Sequence, residues 1–119
     1  MEFWPAESNF KCLPPADTRL VEIKAEPYPD GKRLRVMLTM TPFQKKPYLE
    51  LNLIDTMDAI IATTSIVEPA TTKLELTMHI RKPLTDAINP FTLSTTLYYP
   101  EIGEVDHRLL SIVLPTPLQ

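Results

Sequence analysis

From residue 18 onward, apolar and polar side chains alternate with a period of two, the mark of strands that bury one face and expose the other. The alternation predicts strands at 19–26, 33–41, 48–55, 59–67, 73–81, 91–99 and 105–114. In the first, Val21, Ile23 and Ala25 are expected to point inward. Leu34, Val36, Leu38 and Met40 do so in the second, and Leu49, Leu51 and Leu53 in the third. Leu74, Leu76, Met78 and Ile80 line the inner side of the fifth, and Phe91, Leu93, Thr95, Leu97 and Tyr99 that of the sixth. The fourth and last segments carry apolar residues on both sides, so their registers stay open, and burial on both faces is expected for them. Turn chemistry separates the segments: Asp30-Gly31 after Pro29, Asp58 after Met57, Pro69 and Pro100.

Clean alternation means that each sheet has one buried side, which is the antiparallel case. The connections are too short for helical crossovers between parallel strands. The expected fold is therefore an all-β antiparallel sandwich of about seven strands, immunoglobulin-like or fibronectin type III-like in architecture. The Cys…Trp…Cys core of true immunoglobulin domains is missing, and Phe91 stands where a tyrosine corner would open the sixth strand. Residues 1–17 show no period and form an expected irregular N-terminal arm, whose Phe3, Trp4 and Phe10 cover part of the core; residues 18–119 form the sandwich. Residues 82–90 read as a polar connection.

Composition narrows the function more than it defines it. A chain of 119 residues is long enough for one domain with a real core, without disulfides or metal. Thirteen prolines mark many reversals, and the two glycines, Gly31 and Gly103, stand too far apart to form a phosphate-cradling loop. A net charge of -3 offers no basic footprint for nucleic acid or an anionic membrane surface. The single cysteine, Cys12, cannot form an internal disulfide and is expected to be a small buried residue. The N-terminal residues lack a basic start followed by an apolar run, so no signal peptide is read and a cytoplasmic location is the default expectation.

Candidate chemistry is sparse. His79 and His107 are the only histidines and lie too far apart in sequence for a zinc motif; each is expected on the solvent side of a strand. Ser65, Ser94 and Ser111 fall inside strands, away from any glycine-flanked nucleophile elbow. Neither a catalytic set nor a cofactor site is expected. Asp30, Asp55, Asp58 and Asp86 fall in loops at one end and could form a calcium-binding end, although aspartate is also ordinary turn chemistry. Trp4, Tyr28, Tyr48, Tyr98 and Tyr99 could form a stacking platform for carbohydrate.

The most informative expectation is an asymmetry between the outer faces. If the first, second and fifth strands share a sheet, its outer face holds Glu22, Lys24, Arg33, Arg35, Lys73, Glu75, His79 and Arg81. The other sheet exposes Tyr48, Glu50, Asn52, Ile54, Thr92, Ser94, Thr96 and Tyr98, with either Leu110 and Ile112 or Leu109 and Val113 from the last strand. Charge depletion with interspersed aromatics is what interfaces show. The leading reading is a non-catalytic interaction or structural module, with a protein partner or homodimer on the face of Tyr48, Asn52, Ile54, Thr92, Ser94, Thr96 and Tyr98. The alternative is a ligand-binding sandwich, for calcium or carbohydrate.

Overall fold

The computed structural model describes residues 12–80 and 90–114. A short 3-10 turn, Pro15–Asp17, leads into seven strands: β1 (Leu20–Pro27), β2 (Arg33–Met40), β3 (Tyr48–Ile54), β4 (Ile60–Val67), β5 (Lys73–His79), β6 (Phe91–Tyr99) and β7 (Gly103–Ile112). They form two antiparallel sheets, in the orders β1-β2-β5 and β4-β3-β6-β7. This is the seven-strand sandwich that the alternation predicts, and the first, second and fifth strands do share a sheet.

The core fills the space between the sheets. Leu34, Val36, Leu38 and Met40 from β2 meet Leu49, Leu51 and Leu53 from β3 and Phe91, Leu93, Leu97 and Tyr99 from β6 in one cluster of buried residues. Burying each such side chain contributes about 1.5–3 kcal/mol before conformational entropy is set against it. Thr95 points inward with them, and its hydroxyl finds no partner.

Three registers depart from strict alternation, each at a shift in strand pairing. Leu20 pairs with Met40, and Glu22 with Thr39, so Val21 is an extra residue; it is 52% exposed and Leu20 takes the buried place expected for it. In β4, a shift opposite Leu53 and Ile54 leaves Ile61 and Ala62 both buried. In β7, a shift opposite Leu97 and Tyr98 sets Leu109 outward opposite Ser94, and turns Leu110 and Ile112 inward opposite Leu93 and Phe91. Such bulges re-aim every residue beyond them. The expectation that β4 and β7 are buried on both faces is also overturned. Both are edge strands of the four-stranded sheet, and their outward apolar residues stay exposed.

The ends of the sandwich are tied by specific polar bonds. The Tyr99 side chain is fully buried; its hydroxyl donates to the Lys45 carbonyl at 2.7 Å and lies 3.3 Å from Thr18 Oγ1. At the same end, Lys45 Nζ meets Glu101 at 2.7 Å and the Glu68 N–H donates to the Pro47 carbonyl. Along the side where the sheets meet, the Asp106 carboxylate accepts the Leu20 N–H at 2.8 Å, and Arg108 donates to the Leu20 carbonyl at 2.8 Å. The expected arm falls mostly on residues outside those described; its described part bridges Leu13 to Phe43 beside Pro42. Cys12 is exposed rather than buried, since it lies ahead of the sandwich instead of within it. Among the described residues, no helix is long and apolar enough to cross a membrane.

Candidate interaction face

The sequence-derived face residues come together on the outer side of the four-stranded sheet, and the pairing fixes their neighbours in four rows. Tyr48 lies between Val67 and Tyr98, and Glu104 pairs beyond Tyr98. Glu50 lies between Ser65 and Thr96, with His107 beyond. Asn52 lies between Thr63 and Ser94, with Leu109 beyond. Ile54 lies between Ile60 and Thr92, with Ser111 beyond. Two adjacent central strands supply the candidate residues because β3 pairs directly with β6 over all seven of its positions.

Local bonding organises this surface. The Tyr48 and Tyr98 rings lie 5.5 Å apart, tilted by 39°. Thr63 Oγ1 donates to Asn52 Oδ1 at 2.7 Å, and the Asn52 amide leans toward Glu50 at 3.4 Å. Ser94 Oγ and His107 Nε2 share a hydrogen bond of 2.8 Å, and Ser94 is only 9% exposed. Thr92, Thr96, Ile54 and Asn52 are half-buried. At the rim, Ile60, Val67, Leu109 and Val113 are exposed at 59%, 60%, 65% and 69%. The charged groups on the face are Glu50, Glu104 and, when protonated, His107.

The opposite outer face differs in kind. On it, Arg35 donates to Glu75 at 2.7 Å and lies 3.6 Å from Glu26, while Lys24 lies 3.7 Å from Glu22. The Arg35 hydrogen bond holds the Glu75 carboxyl below its ordinary range, and the same bond raises the Arg35 guanidinium. All of these groups are exposed, so each pair contributes little to stability; their effect is to keep that face solvated. Arg81 lies outside the described residues.

Sequence reasoning missed the rim: Val67, Ile60, Thr63 and Ser65 from β4, and His107 from β7. Nothing local says that β4 pairs with β3 rather than with β5. Leu109 was one of two open registers, and the β7 bulge decides for it.

The ligand-binding alternatives find less geometry. Of the aspartates at the loop end, Asp30 accepts the Lys32 N–H at 2.8 Å and bonds Arg33, and the Lys32 bond holds its carboxyl below the ordinary range. Asp55 Oδ1 accepts the Met57 and Ala59 N–H groups at 2.8 and 3.0 Å. Asp58 takes a positive φ of 64° in that turn, and Asp86 lies outside the described residues. Both bonded carboxylates do turn work, and among the described residues no three His, Cys, Asp or Glu side chains converge as a metal group would require. In the proposed aromatic platform, Tyr99 is buried, Arg33 lies 4.2 Å over the Tyr28 ring, and Trp4 lies outside the described residues. Tyr48 and Tyr98 remain, and their rings do not share a plane.

No family model and no curated protein matches the chain. Its structure is similar to part of a glycosyl hydrolase family 2 member from Bacteroides cellulosilyticus, with a TM-score of 0.58 and 14% identity over 82% of this chain and 15% of that one. It is similar to part of the β-glucuronidase of Bifidobacterium dentium, solved with coumarin-3-O-glucuronide, with a TM-score of 0.61 and 14% identity over 84% of this chain and 19% of that one. For the β-glucuronidase of Ruminococcus gnavus the TM-score is 0.52, at 12% identity over 82% and 16%. This chain thus spans less than a fifth of each of these proteins, and the likeness is one of fold: a β-sandwich that in each of them forms a small part of a larger chain.

Proposed function

We propose that this chain is a non-catalytic β-sandwich module that works by contact, and that the outer face of the four-stranded sheet meets a protein partner. The observation that carries this reading is the contrast between the outer faces. One is laced with ion pairs, whereas the other sets a tyrosine pair and hydroxyls inside a rim of exposed Ile60, Val67, Leu109 and Val113. A surface with an aromatic pair on its two central strands and little charge desolvates at low cost. The fold neighbours support the reading, since their sandwich is one part among others. Glu50 sits close to the middle of the face. Two copies packed face to face about that point would oppose two carboxylates, so the expected partner is a different protein. The pair closest to catalytic machinery, Ser94 with His107, lies on an open sheet face with Ser94 itself nine-tenths covered, which leaves a nucleophile there little access.

The test compares Tyr48→Ala/Tyr98→Ala with Lys24→Ala/Glu22→Ala as baits in native cell extract. A partner recovered by the wild type and by the second bait, but not by the first, supports the reading. Equal recovery by the tyrosine variant would remove it.

A second reading is a carbohydrate surface on the same tyrosines. It draws on the Tyr48–Tyr98 pair beside Glu50 and Asn52, and on a fold shared with parts of glycosyl hydrolases. Oligosaccharide titrations followed by NMR would favour it if resonances of Tyr48, Tyr98 and Thr96 moved together.

A further inference from the structure

The four strands that end the two sheets are not equally protected. An edge strand offers unpaired N–H and carbonyl groups, and proteins blunt such edges with charge, proline or bulges. β1 carries Glu22, Lys24, Glu26 and Pro27, and β5 carries Lys73 and Glu75. β4 is bulged at Ile61 and runs into Glu68-Pro69. The first half of β7 carries Glu104, Asp106, His107 and Arg108, and the Asp106 and Arg108 side chains clip it to Leu20. Residues 109–113, Leu-Leu-Ser-Ile-Val, have none of these devices. Beyond Leu20, β1 and β7 separate around a groove of about 450 Å³ lined by Ile23, Ala25, Pro27, Leu110 and Ile112, so β1 does not cover this half-edge.

We infer that residues 109–113 pair with the same residues of a second copy, antiparallel about a twofold axis at Ser111. The occupant is argued from the segment's own pattern. Antiparallel self-pairing centred on Ser111 sets Leu109 opposite the second copy's Val113 on the outer face, and Leu110 opposite the second copy's Ile112 on the inner face. Apolar meets apolar at both positions, and the two serines meet at the axis. Leu109 and Val113, exposed at 65% and 69%, lose most of that exposure when they face each other. The charged clip at Asp106 and Arg108 lies just outside the paired stretch, so it sets the limit of the contact without opposing like charges within it. The result is one eight-stranded sheet whose two outer faces, each carrying the Tyr48–Tyr98 pair, lie side by side. Five residues of edge make a contact below the roughly 1,200 Å² of stable interfaces, so the dimer is weak and concentration-dependent.

The test uses cross-linking at the axis in a Cys12→Ser background, which removes the exposed native thiol. Directly opposed residues of antiparallel strands have Cβ atoms ~4.5–5.5 Å apart, close to disulfide reach. Ser111→Cys is therefore expected to form a covalent dimer on mild oxidation much faster than Ser65→Cys, an exposed control on β4. Ser111→Lys, which opposes two cations at the axis on an exposed position, is expected to abolish the concentration-dependent rise in mass seen by sedimentation, with an unchanged circular dichroism spectrum. Equal cross-linking at both cysteines would overturn the proposal, as would a monomer at millimolar concentration. A dimer that survives Ser111→Lys but dissolves with Tyr48→Ala/Tyr98→Ala would also overturn it, because that pattern assigns self-association to the broad face.

Discussion

The Asp106 carboxylate accepts the backbone N–H of Leu20 at 2.8 Å, joining the edge of one sheet to the edge of the other across 86 positions of sequence. Arg108, two residues on, takes the Leu20 carbonyl, so both main-chain groups of a buried residue are satisfied by side chains of β7. Without Asp106, that N–H keeps no acceptor in the sandwich, and an unsatisfied buried donor costs about 1–3 kcal/mol. Asp106→Ala is expected to lower the denaturant midpoint accordingly with an unchanged m-value. A midpoint equal to wild type would show that water replaces the carboxylate there.

Tyr99 closes the same end of the sandwich by reaching the Lys45 carbonyl beside Thr18. Tyr99→Phe keeps the buried ring and removes only the hydroxyl, leaving that carbonyl and Thr18 with one partner fewer. The expected loss is about 1–2 kcal/mol in equilibrium unfolding. A neutral result would mean that the aromatic ring alone does the closing.

Thr95 offers the reverse case. Its hydroxyl is fully buried between Leu93 and Leu97 without a hydrogen-bond partner. Thr95→Val keeps the shape and removes the desolvated group, so a gain of about 1–2 kcal/mol is expected, read as a higher melting temperature. A loss of stability would show that the hydroxyl is satisfied by a buried water.

Acid should weaken the fold gradually. Hydrogen bonds from Arg35 to Glu75, from Lys45 to Glu101, and from the Lys32 backbone to Asp30 hold three carboxyls below their ordinary range. Groups with depressed folded-state pKa values contribute stability above the unfolded pKa, and lose it as pH falls through the folded value. The denaturant midpoint is thus expected to be level near neutrality and to fall in the acid range. The fall should be shallow, since all three carboxyls are exposed. Glu75→Gln with Glu101→Gln should flatten it further, and an identical acid profile for that pair would assign the loss to other groups.

Much of the fold is legible in alternation alone. β2, β3, β5 and β6 place the residues that the period predicts on the inner side, because a regular strand turns successive side chains to opposite faces whatever its neighbours are. Val21 breaks the rule in β1, since a bulge is decided by pairing with β2 and leaves no local trace. The candidate face was half legible. Its central residues lie on two regular strands, whereas its rim lies on β4 and β7, whose apolar residues fall on both sides. Threonine and isoleucine favour strands without saying which side they present.

The sequence by itself determined that this protein is built of short antiparallel strands with one apolar side each, since period-two patterning and proline-marked turns are properties of neighbouring residues. Which strands share a sheet, which ones end it, and which Leu of β7 faces water were decided only in the tertiary structure. These depend on hydrogen-bond partners tens of residues away, such as Leu93 opposite Leu110 and Leu20 held by Asp106. A one-residue slip in such a partner exchanges core for surface, and only the packed sandwich, by burying one set and hydrating the other, selects between the two registers.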